Sequence, residues 1–219
     1  MRHPLRSGHT AFACRLRKAL VAPMRQAFEE FSRLLELRLA SKVPTTEDSV
    51  RYTLFAAMLS NGIAAEEVVL EYPHPAIERG KIDTWLPNYQ GRPVSIEFKY
   101  DRDPPGGKNQ PKTQKAGSVF RDMHRQLLTC KETSADCYFV YVTTKEMAVY
   151  FNNPNNGYQS IFGLQPDQQF EIGHDYFSGK PMTFMTSLGG EFEARIFCIM
   201  SRSLPQNHEL RIYKVEAAS

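Results

Sequence analysis

The segment Cys137–Thr143, CYFVYVT, constrains the fold more than any other stretch of the chain. Its apolar residues fall on both faces of an extended backbone, the pattern of a strand covered on each side. A sheet buried on two faces needs two flanking layers, and helices supply them. Met24, Phe28, Phe31, Leu35 and Leu39 recur at helical spacing and predict a helix from Pro23 to about Ala40, with Pro23 in its first turn. Residues 1–9 read as a loose arm and Lys42–Thr46 as a linker. A second helix begins at Thr45 or Thr46 and ends near Gly62, with Val50, Leu54 and Met58 as its buried stripe. If Thr45 is the cap, Asp48 is its capping-box acid.

After that helix the apolar period changes from 3.6 to 2. Val68–Tyr72, Lys81–Leu86 and Pro93–Tyr100 read as strands, the last two joined by a turn-rich loop from Pro87 to Arg92. Arg102–Pro111 holds three prolines and two glycines and is read as loop. Lys112–Lys131 returns to helix, with Ala116, Val119, Phe120, Met123 and Leu127 on one face. Asn152–Tyr158 is a further loop, and the alternating segments Phe192–Met200 and Glu209–Val215 suit a hairpin. The expectation is an α/β protein with an α-β-β-β-α-β core and a mixed central sheet flanked by helices. It forms one domain, with a basic arm and helices over 1–44, the core over 45–143 and a strand-rich extension over 144–219.

Composition removes several function classes. With 42% hydrophobic and 23% charged residues the chain is globular, not disordered or fibrous. No stretch approaches the roughly 18 apolar residues of a membrane span, and the N-terminus lacks an apolar signal core. Cys14, Cys130, Cys137 and Cys198 have no zinc-site spacing, so they are read as reduced thiols in a cytoplasmic protein. The six histidines show no ligand spacing, and no GxSxG nucleophile elbow is present. Gly106-Gly107-Lys108 fails the Walker pattern, which needs a glycine at position 102 and Ser or Thr at 109; Arg102 and Asn109 stand there. Positive charge is concentrated in two segments. Residues 1–27 hold six Lys/Arg and no acid, residues 79–125 hold ten against five, and the remainder holds eleven against nineteen. That division predicts a surface facing a polyanion.

The chemistry is expected on the second and third strands. Val94, Ile96, Phe98 and Tyr100 share one face, and Glu97 and Lys99 share the other. If the hairpin is symmetric about Gln90, Asp83 lies opposite Glu97, where paired residues sit about 4.5–5.5 Å apart and like charges repel. Two such carboxylates call for a cation, and Mg²⁺ takes hard oxygen ligands while keeping several waters. Glu47 falls on the stripe of Val50, Leu54 and Met58, so it either uses the helix dipole or faces the same cation. Trp85 shares the face of Asp83 and reads as a wall beside the site.

These residues resemble the PD-(D/E)XK nuclease superfamily, which includes restriction endonucleases and Holliday-junction resolvases. The resemblance covers roughly residues 45–143 and rests on Asp83, thirteen intervening residues, then Glu97-Phe98-Lys99. It implies a restriction-endonuclease-like core in which Asp83 and Glu97 bind Mg²⁺ (with Mn²⁺ as a substitute) and the Phe98 carbonyl is a further ligand. Lys99 would orient or help deprotonate the attacking water, and Glu47 matches the additional helix carboxylate of many members. Ile82 stands where the eponymous proline would be, and Ser118 removes the Gln-xxx-Tyr motif of the exonuclease branch. Gln114 and Lys115 open the following helix; with Lys108, Lys112, Arg121 and Arg125 they are the residues expected to touch DNA. The function expected is Mg²⁺-dependent, endonucleolytic hydrolysis of DNA in restriction or phage defence, by a homodimer or with a recognition partner chain. The rivals are a non-catalytic nucleic-acid-binding or assembly protein retaining the fold, and a metal-dependent hydrolase of another substrate.

Overall fold

The computed structural model describes residues 8–102 and 111–218, with side chains from residue 24 onward. Helices α1 (Gly8–Ala40) and α2 (Glu47–Ser60) precede strands β1 (Val69–Pro73), β2 (Lys81–Tyr89) and β3 (Arg92–Asp101). Helix α3 (Lys112–Thr133) and β4 (Asp136–Thr144) follow, then the short helices α4 (Lys145–Asn152) and α5 (Gln159–Phe162). The chain finishes with β5 (Gln169–Ile172), α6 (Met182–Leu188), β6 (Ala194–Leu204) and β7 (His208–Ala217).

All the strands join one seven-stranded mixed sheet in the order β1-β2-β3-β4-β7-β6-β5. β1, β2 and β3 form an antiparallel meander, whereas β3 and β4 are parallel. Parallel neighbours cannot be joined by a tight turn, and α3 makes the crossover. Phe28, Phe31 and Leu35 of α1 and Val50, Leu54 and Met58 of α2 pack on the face carrying Val94, Ile96, Phe98, Val140 and Val142. Val119, Phe120 and Met123 of α3 cover the other face with Phe139, Tyr141, Phe151, Phe162 and Phe184. The α/β expectation, the stripes of α1, α2 and α3, and the doubly covered strand all hold.

Three expectations are corrected and a fourth is borne out and extended. Helix α1 starts at Gly8, so Pro23 is internal; its fixed φ is helical, and only one backbone bond is forfeited. Thr46 is the cap of α2: its hydroxyl accepts from the Ser49 N–H at 3.2 Å, which excludes Asp48 as the capping-box acid. β2 continues through Pro87, Asn88 and Tyr89, and the loop shrinks to Gln90-Gly91, whose φ values of 54° and 85° suit a two-residue hairpin turn. The C-terminal hairpin forms, but β7 lies beside β4 within the main sheet and β5 extends it further. Among the described residues, no helix is long and apolar enough to cross a membrane.

Candidate active site

The site lies where β2 parts from β3. The pairs Leu86–Val94, Trp85–Ser95 and Thr84–Ile96 are symmetric about Gln90, and one further step sets Asp83 opposite Glu97. Beyond Thr84–Ile96 the strand partner is replaced by carboxylates. Asp83 Oδ2 accepts the Phe98 N–H at 2.8 Å, and Glu47 Oε2 accepts the Tyr100 N–H at 2.8 Å. On its other side β2 is equally irregular. The β1–β2 pairing joins Leu70 to Thr84 and Tyr72 to Ile82 but skips Glu71, whose φ is 55°. A non-glycine residue in the left-handed region of an edge strand is uncommon and marks local strain. Asp83 is thereby held between two defects in the ladder. The Trp85 ring stacks on Tyr72 at 5.1 Å and packs with Ile82 and Cys137, forming a wall beside this break.

Glu97 is only 7% exposed, which is incompatible with an ordinary surface ion pair. Burial, and then the neighbouring Asp83 charge, push its carboxyl well above the usual range. Burial also raises Asp83, against the Phe98 N–H and the Arg51 guanidinium, and raises Glu47, against the Tyr100 N–H. Lys99 is half-buried at 3.6 Å from Asp122. Burial works against its ammonium, but Asp122, Glu47 and Asp101 together outweigh it and hold the pKa above that of a free lysine.

Helix α3 contributes more than the sequence indicated. Lys115, Ser118, Asp122, Gln126 and Thr129 are all buried and recur at helical spacing, a polar stripe beside the apolar one. Burial raises the Asp122 carboxyl to about 6, with Lys99 as the chief opposing charge. Neither amide atom of Gln126 has a hydrogen-bond partner among the described residues. Arg125 turns inward: its Nε lies 3.2 Å from Glu97 Oε1 as an ion pair, and its Nη2 donates to the Lys81 carbonyl. Of the other residues expected at DNA, Gln114 is half-buried and Arg121 exposed. Lys112 pairs with Glu146 at 3.4 Å. Lys108 lies outside the described residues.

Arg51 is the residue most clearly missed by sequence reasoning. Its Nη2 donates to Asp83 Oδ1 at 2.7 Å and its Nη1 to Glu71 Oε1 at 2.8 Å. It stands one helical turn after Glu47, so the readable signal was a cation at i+4 from the helix carboxylate.

The donor set suits a hard divalent cation. Asp83, Glu97 and Glu47 offer only oxygen, and Glu97 Oε2 is buried with no hydrogen-bond partner among the described residues. Among the described residues, no three His, Cys, Asp or Glu side chains close into a metal cage. Arg51 holds Asp83 and Arg125 holds Glu97. No family model, curated protein or solved structure matches the chain. The chemistry of the site therefore rests on its geometry.

Proposed function

We propose that the chain is a Mg²⁺-dependent nuclease of the PD-(D/E)XK type that hydrolyses phosphodiester bonds in DNA. The observation that carries this reading is Glu97, buried against Asp83 two residues before Lys99, with one carboxylate oxygen that has no hydrogen-bond partner among the described residues. The order α2-β1-β2-β3-α3-β4, with its antiparallel meander and parallel β3–β4 pair, supports a restriction-endonuclease-like core. In this reading Asp83 and Glu97 hold the metal and Glu47 stands at the edge of its shell. The N–H and C=O of one strand residue point to the same side, so the Phe98 carbonyl turns toward the gap its N–H shares with Asp83.

Bound there, Mg²⁺ or Mn²⁺ would neutralise charge developing on the scissile phosphate and acidify a water. The protein's own groups do the positioning. Lys99 presents an ammonium beside Glu97 and holds the attacking water in line, while Asp122 fixes Lys99. Arg125 restrains Glu97, and the exposed Arg121 on the same helix offers positive charge to the backbone phosphates, whereas Lys115 is buried. One such site per chain cuts both strands most simply as a homodimer. A cytoplasmic setting, in which Cys130, Cys137 and Cys198 stay reduced, belongs to the same reading.

Supercoiled plasmid incubated with the protein tests the proposal. Nicking or linearisation is expected with Mg²⁺ or Mn²⁺, none with chelator, and none with Asp83→Ala. The rival non-catalytic role draws on the pairing of Arg51 and Arg125 with the two carboxylates. Metal-independent DNA binding by the wild type without any cleavage would favour that rival.

A further inference from the structure

The two terminal nitrogens of the Arg51 guanidinium are shared between different carboxylates. Nη2 engages Asp83 at 2.7 Å, and Nη1 engages Glu71 at 2.8 Å and lies 3.7 Å from Asp48. Asp83 is the most enclosed of the three, whereas Asp48 and Glu71 face solvent. We propose that Arg51 is a gate on the metal position, holding Asp83 while no cation is bound and withdrawing onto Glu71 and Asp48 when one enters. The proposal rests on the reading of Asp83 and Glu97 as metal ligands.

The physical case has three parts. A cation at Asp83 Oδ1 and the Arg51 guanidinium compete for one oxygen and repel each other, so they exclude one another there. Without either, Arg125 on Glu97 would be the nearest cation left to answer both carboxylates across the strand break, so Arg51 supplies the empty site with the charge that Asp83 lacks. Withdrawal is inexpensive, because Arg51 leaves one ion pair while keeping two. Glu71 is positioned for this by its left-handed backbone, the irregularity that interrupts β1 opposite Asp83.

A gate gives opposite signs in two measurements, which a purely structural arginine does not. Arg51→Gln should lower the thermal midpoint of the metal-free protein while tightening Mn²⁺ binding, measured calorimetrically, by about three- to tenfold. Lys81→Gln removes a positive charge from the same neighbourhood, 3.5 Å from Glu71, without touching Asp83, and controls for the general field. Glu71→Gln, on an exposed edge strand, should weaken Mn²⁺ binding about threefold by leaving Arg51 on Asp83, and it serves if Arg51→Gln does not fold. Mn²⁺ binding in Arg51→Gln no tighter than in Lys81→Gln, or Glu71→Gln binding as tightly as wild type, would overturn the gate. Absence of binding in the wild type and in folded Arg51→Gln alike would overturn the metal reading and the gate with it.

Discussion

β3 and β4 run side by side in one register, so Glu97 lies beside Phe139 and Lys99 beside Tyr141, all beneath α3. β4 buries this face completely and β3 most of it, and they fill it in opposite ways. On the β4 side the rings of Tyr141, Phe151, Phe162 and Phe120 seal against one another, with Phe151 and Phe162 stacked at 3.8 Å. On the β3 side, carboxylates and cations are taken out of water, and among the described residues Glu97 Oε2 and both amide atoms of Gln126 have no hydrogen-bond partner. Burying an ion costs more than its pairing returns, whereas burying a ring stabilises outright. One half of the face therefore supplies the stability that the other half gives up.

The largest effect that breaks this comparison is on cleavage. Asp83→Ala, Glu97→Ala and Lys99→Ala should each cut the rate by roughly a hundredfold or more, with the triple variant little worse than any single one. Denaturation midpoints should stay near wild type for Glu97→Gln, because an unfavourable buried charge is removed. A Glu97→Gln protein that cleaves at the wild-type rate would remove the polar half from the account. On the apolar half the order reverses. Phe162→Ala should lower unfolding free energy by about 3–5 kcal/mol in denaturant titration, yet its folded fraction should cleave normally.

A smaller effect separates the halves by pH. The Asp122 carboxyl is raised from 3.8 to about 6, chiefly by burial. A raised folded pKa stabilises fully below the unfolded value and loses that contribution as pH rises through the folded one. Relative to Asp122→Asn, the wild type should therefore lose stability between about pH 4 and pH 7, by a few kcal/mol at most. Glu97, also raised, moves in the same direction. Unfolding curves for the two proteins that stay parallel across this range would show Asp122 to be as well solvated folded as unfolded. Smallest of all, Thr46→Ala should cost about 1 kcal/mol by uncapping α2. It should also loosen the Glu47 contact to Tyr100, which calorimetry on the metal would register as slightly weaker binding.

The same contrast explains what was legible in the sequence. Val50, Leu54 and Met58, the alternation of Val94 through Tyr100, and CYFVYVT are apolar patterns, and each landed on the face its period required. Asp83, Glu97 and Lys99 could be aligned because a hairpin's symmetry is arithmetic. Asp122 and Arg51 were passed over because a polar residue on a helix reads as solvated until its neighbours are known. The spacing of Lys115, Ser118, Asp122, Gln126 and Thr129 was nevertheless a pattern, a second stripe that a one-faced amphipathic reading discards. Glu71 gave no warning, since positive φ at a glutamate follows from the tertiary break at Asp83 and not from local propensity. The short elements α4, β5 and α6 were hidden for a related reason: four to eight residues hold too few periods to distinguish from loop.

The central claim, that the polar half of this face is built around a divalent cation, is tested most directly by thermal unfolding with and without metal. A ligand bound by the folded state alone stabilises by about 2.7 kcal/mol at a hundredfold excess over Kd. The midpoint of the wild type should rise with millimolar Mg²⁺ or Mn²⁺ and stay flat in Asp83→Asn. Equal shifts in both proteins, or no shift in the wild type, would contradict the account.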